Sequence, residues 1–417
     1  MISLSRQQRM VNRIMDTGFQ YGITGQYTED AQLNGRTVTI DGHEKINFGH
    51  CSYLGLETDD RLREGSIAAT RRFGSQFSSS RSYISLSLYR EYEEKLARLF
   101  GYPTIVGPTT TLNHFAVLPL FVSKEDVLIL DYYVHASVRL ATQNVSAKGV
   151  FTEIIPHNDL NQLETRLQKH IARGAKHVWY LVDGVYSMQG DVAPLRELRQ
   201  LQNRYPELHL YVDDAHGMSW AGTHGRGYAL RQLGELNDRT MLVTSLNKAF
   251  AAGGGAIVCH DDLIKKTIRN CGQTLMFCGP LQPAQLGAGI ASADIHLSDE
   301  ITRRQDSLRG KIHHFNRRCR EWKLALIGDW ETPVRYIGVG TPEIGYEIVS
   351  LLIQRGFFLN IASYPSVAQN KTGLRITLTD HVTPEDIDRL LQNTVEVIAD
   401  VFERRDYSYE RVLEAFE

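Results

Sequence analysis

Short apolar runs recur through the middle of this chain: DVLILD (126–131), HVWYLVD (177–183), LHLYVDD (208–214), TMLVTS (240–245) and GAIVC (255–259). Charged amphipathic segments separate them, such as DLNQLETRLQKHIARG (159–174), in which Leu160, Leu163, Leu167 and Ile171 fall at helical spacing. Apolar strands alternating with helices predict an α/β fold with a mostly parallel sheet covered on both faces. In such sheets ligands gather outside the carboxyl ends of the strands. Those ends carry polar groups in succession here: Asp183 to Ser187, Asp213 to His216, and Ser245 to Lys248.

Beyond about residue 290 the pattern changes. A long charged helical stretch, roughly 291–323, leads to VRYIGVG (334–340), an amphipathic helix, FFLNIA (357–362) and LRITLT (374–379). The last helix is predicted to start at TPEDIDRLLQ, with Thr383 as N-cap and Pro384 at the first helical position. The expected organisation is an N-terminal helix with short strands (1–55), a large domain (56–290) and a small α+β domain (291–417).

Composition narrows the function classes. A formal charge of −2 gives no electrostatic reason to bind nucleic acid or a membrane surface. No apolar run approaches the roughly 18 residues of a membrane span, and MISLSRQQRMVNRIMDTG looks like a polar amphipathic helix with no signal-peptide core. A cytoplasmic location is the resulting expectation. Cys51, Cys259, Cys271, Cys278 and Cys319 form no CxxC pair, and no HExxH spacing occurs, so no disulfide framework and no metal site is expected.

Lys248 stands between the end of an apolar run and the glycines of AAGGGAIV. Desolvation at a strand end opposes a charged amine and makes it a better nucleophile toward carbonyls. A lysine, an aspartate and two histidines at successive strand ends suit pyridoxal phosphate (PLP). That cofactor needs a lysine for its aldehyde, a carboxylate for its ring nitrogen, backbone N–H groups at a helix N-terminus for its phosphate, and an aromatic ring over its face.

The segments VHASVRLA (134–141), LVDGVYSMQGDVAPL (181–195), YVDDAHGMSWAGTHGRG (211–227) and TSLNKAFAAGGG (244–255) carry a resemblance. With INFGHCSYLGL (46–56) and LRITLT (374–379) at its limits, the chain resembles the α-oxoamine synthases, a family of fold-type-I PLP-dependent acyltransferases. The resemblance implies a large domain with a mostly parallel seven-stranded sheet and a small C-terminal α+β domain.

It also implies roles for particular residues. Lys248 would bind the PLP aldehyde, Asp213 would pair with the ring nitrogen, His135 would stack on the ring, and His216 would contact the cofactor's O3′ and the substrate. Ser187 would reach the O3′ side, while Thr109, Thr110, Ser245 and Thr244 would hold the phosphate. Asp214 follows Asp213 directly, and strand alternation keeps the two from facing the same side. Arg375 resembles the arginine that clamps a substrate α-carboxylate, which its planar fork matches. Ser52 stands where relatives often have asparagine near the amino-acid substrate. The implied reaction condenses an amino acid with an acyl thioester, usually with loss of CO2, in a homodimer whose chains share active sites.

Several positions depart from the family pattern. Ile84 and Ser85 lie where relatives carry a glycine–threonine pair, Asn247 replaces the glycine before the lysine, and Cys278 and Gly279 stand where the partner chain's phosphate contact is usually serine or threonine. These positions border the acyl side, so the acyl donor is expected to be unusual, either an acyl-CoA or a thioester carried on an acyl carrier protein. The rival readings are an aminotransferase or a C–C lyase on a β-hydroxy amino acid. A non-catalytic partner subunit is a further alternative, which the presence of Lys248 argues against.

Overall fold

The structure is a computed structural model that describes residues 4–416, apart from the side chain of Gln7. The chain divides into two compact units. One comprises Met1–Tyr53, Met188–Gly190 and Ser307–Glu417; the other comprises Leu54–Ser187 and Asp191–Asp306. The N-terminal segment therefore groups with the C-terminal part of the chain and forms no unit of its own.

The larger unit is built on a seven-stranded sheet. Its spatial order is Thr104–Gly107, Gly255–Val258, Thr240–Ser245, Leu208–Asp213, Val178–Asp183, Val127–Asp131 and Phe151–Ile155. The last five strands pair in parallel, and Gly255–Val258 runs antiparallel to both of its neighbours. Every residue of the three central parallel strands is buried except His209, as expected where helices cover both faces. One apolar cluster joins Val178, Tyr180, Val182, Leu210, Val212 and Leu242 to the helices; another holds Trp179, Leu181, Tyr211, Met241 and Val243. Successive residues thus feed opposite faces, the pleat acting through sequence.

The same alternation separates Asp213 from Asp214. Asp214 is buried, accepts a hydrogen bond from the Ala229 amide at 2.9 Å, and is enclosed by Gly184, Gly217 and Gly227. Burial holds its carboxyl well above the usual range. Gly227 has φ +102°, and a Cβ there would lie 2.3 Å from Asp214 Oδ2. Gly227→Ala is therefore expected to lower stability by about 3 kcal/mol through strain and overpacking. Urea unfolding measures it, and a change below about 0.5 kcal/mol would contradict the tight packing described.

The smaller unit contains the helix Arg6–Gln20, the antiparallel pair Thr37–Ile40 and His43–Asn47, and a three-stranded antiparallel sheet whose middle strand is Thr372–Thr377. The run FFLNIA is split between sheets. Phe357–Phe358 pairs with His43–Asn47, whereas Asn360–Ala362 pairs with Thr372–Thr377. Arg36 makes a bidentate pair with the buried Asp386 at 2.8 and 2.6 Å, tying the N-terminal segment to the helix Pro384–Arg405. Thr383 caps that helix in a capping box with Pro384 in the first turn, as its sequence predicts. The stretch expected as one helix from about 291 to 323 is instead two helices, Pro283–His296 and Glu300–Glu321. Among the described residues no helix is long and apolar enough to cross a membrane.

Candidate active site

Three adjacent parallel strands, Val127–Asp131, Val178–Asp183 and Leu208–Asp213, each end on a buried aspartate. Asp131 receives the amides of Tyr133 at 2.7 Å and Asn158 at 2.8 Å, fixing the turn that leads to His135. Asp183 Oδ1 accepts the His135 amide at 3.0 Å. His135 then caps the helix Ala136–Ser146 with its own ring: Nδ1 accepts the Ser137 amide at 3.2 Å and lies 2.6 Å from the Ser137 hydroxyl. Burial lowers the His135 pKa, with Asp213 opposing and Lys248 adding to the effect. The ring is therefore neutral and fixed at neutral pH.

Asp213 and Asp183 are direct partners across the strand pair. Burial opposes ionisation of Asp213, but the contact with His114 and then the Lys248 charge hold its pKa below the usual carboxylate value. Burial and the Asp213 charge push Asp183 the other way, well above its usual value. Two carboxyl groups so close cannot both ionise cheaply, and their surroundings decide that Asp213 carries the charge.

Facing Asp213 is a cavity of about 330 Å³ lined by Thr109, Thr110, Thr111, His135, Asp183, Asp213, Ala215, His216, Ser245, Asn247, Lys248, Gly254 and Gln285, among others. One wall is the N-terminus of the helix Thr110–Phe121. Thr109 caps the Leu112 amide at 3.1 Å, while the first-turn amides of Thr110 and Thr111 have no carbonyl of their own helix to bond. The glycine block makes this wall possible. A Cβ on Gly255 would lie 2.8 Å from the Thr110 nitrogen, and one on Gly254, whose φ is +93°, would lie 2.7 Å from the Gly107 carbonyl. The glycines thus admit the helix N-terminus beside the strand.

Of the residues nominated from sequence, the cavity brings together Thr109, Thr110, His135, Asp213, His216, Ser245 and Lys248. Lys248 is half-buried, and its charge acts on Asp213, Asp183 and His135. Thr244 is not in the lining; its hydroxyl bonds the Asp214 carbonyl at 2.9 Å, on the other side of the pleat from Ser245. Ser187 is half-buried on the turn after Asp183 and is likewise absent from the lining. Cys278 and Gly279 lie on the connection between two helices, outside the cavity of their own chain. Arg375 and Ser52 belong to the smaller unit, where Arg375 is buried and its Nη2 lies 3.7 Å from Cys51 Sγ.

Sequence reasoning missed His114 and Gln285, placed Asp183 at a strand end without giving it a role, and treated Asn247 only as a departure. Asp183 carried a signal, since it ends a strand as Asp213 does. His114 carried none, lying in an apolar helix 99 residues from Asp213.

His157 was missed too. Its Nδ1 lies 2.8 Å from Asp131 and its Nε2 2.5 Å from Asp191, joining the turn before His135 to the loop after Ser187. Burial opposes the charged ring, but the two carboxylates outweigh it and raise its pKa to about 9. A raised pKa stabilises the fold fully below the unfolded value near 6.5, and this contribution is lost as pH rises through 9. His157→Gln is therefore expected to cost on the order of 3 kcal/mol at pH 6, with the gap to wild type closing by pH 10. Urea unfolding across that range checks this, and a gap independent of pH would refute it.

The aminotransferase class I and II family pattern matches residues 43–393. The chain belongs to this family. Within it the relatives are α-oxoamine synthases: an 8-amino-7-oxononanoate synthase of Exiguobacterium sibiricum is 31% identical over 87% of this chain and 90% of that protein. A serine palmitoyltransferase of Bacteroides ovatus is 29% identical over 90% and 93% of the respective chains. Among solved structures, Sphingomonas wittichii serine palmitoyltransferase superposes with a TM-score of 0.87 at 20% identity, covering 96% of this chain and 99% of that one. A serine palmitoyltransferase variant from S. paucimobilis, solved with bound PLP, gives 0.84 at 22% identity, with 96% and 99% covered. The fold is thus that of the fold-type-I PLP enzymes, and the chain is a member of the α-oxoamine synthase branch.

Proposed function

We propose that this chain is a PLP-dependent α-oxoamine synthase that condenses an amino acid with an acyl thioester, releasing the thiol and usually CO2, to give an α-aminoketone. The observation that carries this reading is the convergence of an ionised aspartate, a neutral capped histidine, a lysine and a helix N-terminus on one cavity. These groups fit PLP. The helix amides suit its phosphate, and the close approach allowed by Gly254 and Gly255 makes that cradle.

When bound, PLP supplies an electrophilic aldehyde and a ring that accepts electrons from the amino-acid Cα. Lys248 would bind the aldehyde and, once displaced by the amino acid, take the Cα proton. Asp213 would accept a hydrogen bond from the protonated ring nitrogen, its ionised state being secured by His114. The neutral ring of His135 would lie against the cofactor face. His216, at the same wall, would orient the substrate and donate to the developing oxyanion. Arg375 would hold the substrate carboxylate, and in a homodimer Cys278 and Gly279 would border the neighbouring chain's phosphate.

The acyl side departs from the family at Ile84, Ser85 and Asn247, which favours an acyl carrier protein as donor over free CoA. The test incubates PLP-loaded protein with single amino acids and matched acyl-CoA and acyl-carrier thioesters, following thiol, CO2 and aminoketone. Amino-acid-dependent thiol release is expected, faster with the carrier. Equal or faster turnover of acyl-CoA would remove the carrier assignment. Formation of pyridoxamine phosphate without thioester would make the chain an aminotransferase.

A further inference from the structure

His114 lies fully buried on the helix Thr110–Phe121, one turn after Thr110. Its Nε2 is 3.0 Å from Asp213 Oδ2, and its Nδ1 is 2.8 Å from the Tyr211 hydroxyl. Asp213 Oδ1 receives the Ala215 amide at 3.0 Å. Burial keeps the Tyr211 phenol protonated far above its usual range, so it serves as a donor. Nδ1 then accepts from the phenol, and Nε2–H donates to the carboxylate. In this arrangement every buried polar atom of the Tyr211–His114–Asp213 chain has a partner, which is the condition for keeping such a chain in an apolar interior.

Helix geometry adds a second point. Residues four apart stand on one face, so the helix that offers the Thr110 and Thr111 amides to the cavity also grips Asp213 from one turn further in. We propose that His114 is a positioning residue that locks the plane and charge of Asp213, so that one helix fixes both the phosphate end and the ring-nitrogen end of a bound PLP. This inference rests on the function proposed above. His114 acts through Asp213 and has no contact with the substrate assigned to it. Other charged or titratable groups act on the same carboxylate: Lys248 and His135 across the cavity and Asp183 on the neighbouring strand. The Tyr211–His114 edge-on contact, with centroids 5.8 Å apart, faces the ring from the strand side.

The test loads wild type, His114→Leu, His114→Gln and Tyr211→Phe with PLP carrying a 15N-labelled ring, and follows ring-nitrogen protonation by NMR between pH 6 and 9. Wild type is expected to stay protonated throughout. Leucine removes the donor, and the nitrogen is expected to titrate inside this range, with PLP affinity within threefold of wild type and kcat reduced about tenfold. Glutamine retains an N–H donor and is expected to restore protonation, while phenylalanine at 211 shifts the midpoint less than leucine at 114. Unchanged protonation in His114→Leu would overturn the inference, as would a glutamine variant that titrates like leucine. Failure of the wild type to take up PLP would overturn the proposed function and this inference together. Wild-type uptake with the leucine result reversed removes only the role of His114.

Discussion

Lys248→Ala is expected to reduce thioester-dependent turnover by about 10⁴-fold or more, because the proposed nucleophile and base are one amine. No neighbouring group replaces it. The other ionisable residues of the cavity are two carboxyls and two imidazoles, Asp183, Asp213, His135 and His216, and none of these can bind an aldehyde as an amine does. Borohydride reduction gives a readout independent of turnover. Wild type should retain PLP on the peptide containing Lys248, and Lys248→Ala should retain none. Lys248→Arg keeps the positive charge beside Asp213 but lacks the nucleophile, so it should be as inactive as alanine while preserving stability. Turnover of Lys248→Ala within tenfold of wild type would end the PLP reading of this cavity.

Asp213→Ala is expected to lower kcat by about 10³-fold, the scale for removing a preorganised charge from a buried site. Its carboxylate carries a charge that burial opposes and the surroundings nevertheless secure. Asp213→Asn should lose nearly as much activity, since an amide cannot carry the charge, yet it should fold more nearly as wild type does. Circular dichroism and urea unfolding separate the two outcomes. The neighbouring carboxyl offers a contrast. Asp183, whose pKa burial and the Asp213 charge push up and which accepts the His135 amide, should tolerate asparagine far better. A large loss at Asp183 with a small loss at Asp213 would reverse the assignment of charge between them.

The two predictions differ in how far the sequence anticipated them. Lys248 and Asp213 are legible because Asp213 closes one strand and Lys248 lies just past the end of the neighbouring one, and strand ends are where an α/β sheet gathers chemistry. The Asp213–Asp214 distinction followed from the pleat. The same rule, applied one strand over, separates Ser245 at the cavity from Thr244 on the opposite side. Ser187 shows the limit of that logic, because a turn after a strand has no fixed side-chain direction.

The alternation of strands and helices, the cap at Thr383, and the positions of Lys248 and Asp213 at strand ends are readable from local sequence. These depend on neighbours within a few residues, and periodicity encodes them. The contact of His114 with Asp213, the bridge of His157 between Asp131 and Asp191, and the division of FFLNIA between two sheets emerge only in three dimensions. Each of those outcomes is set by partners tens to hundreds of residues away, where packing and the need to satisfy buried polar groups override any local pattern.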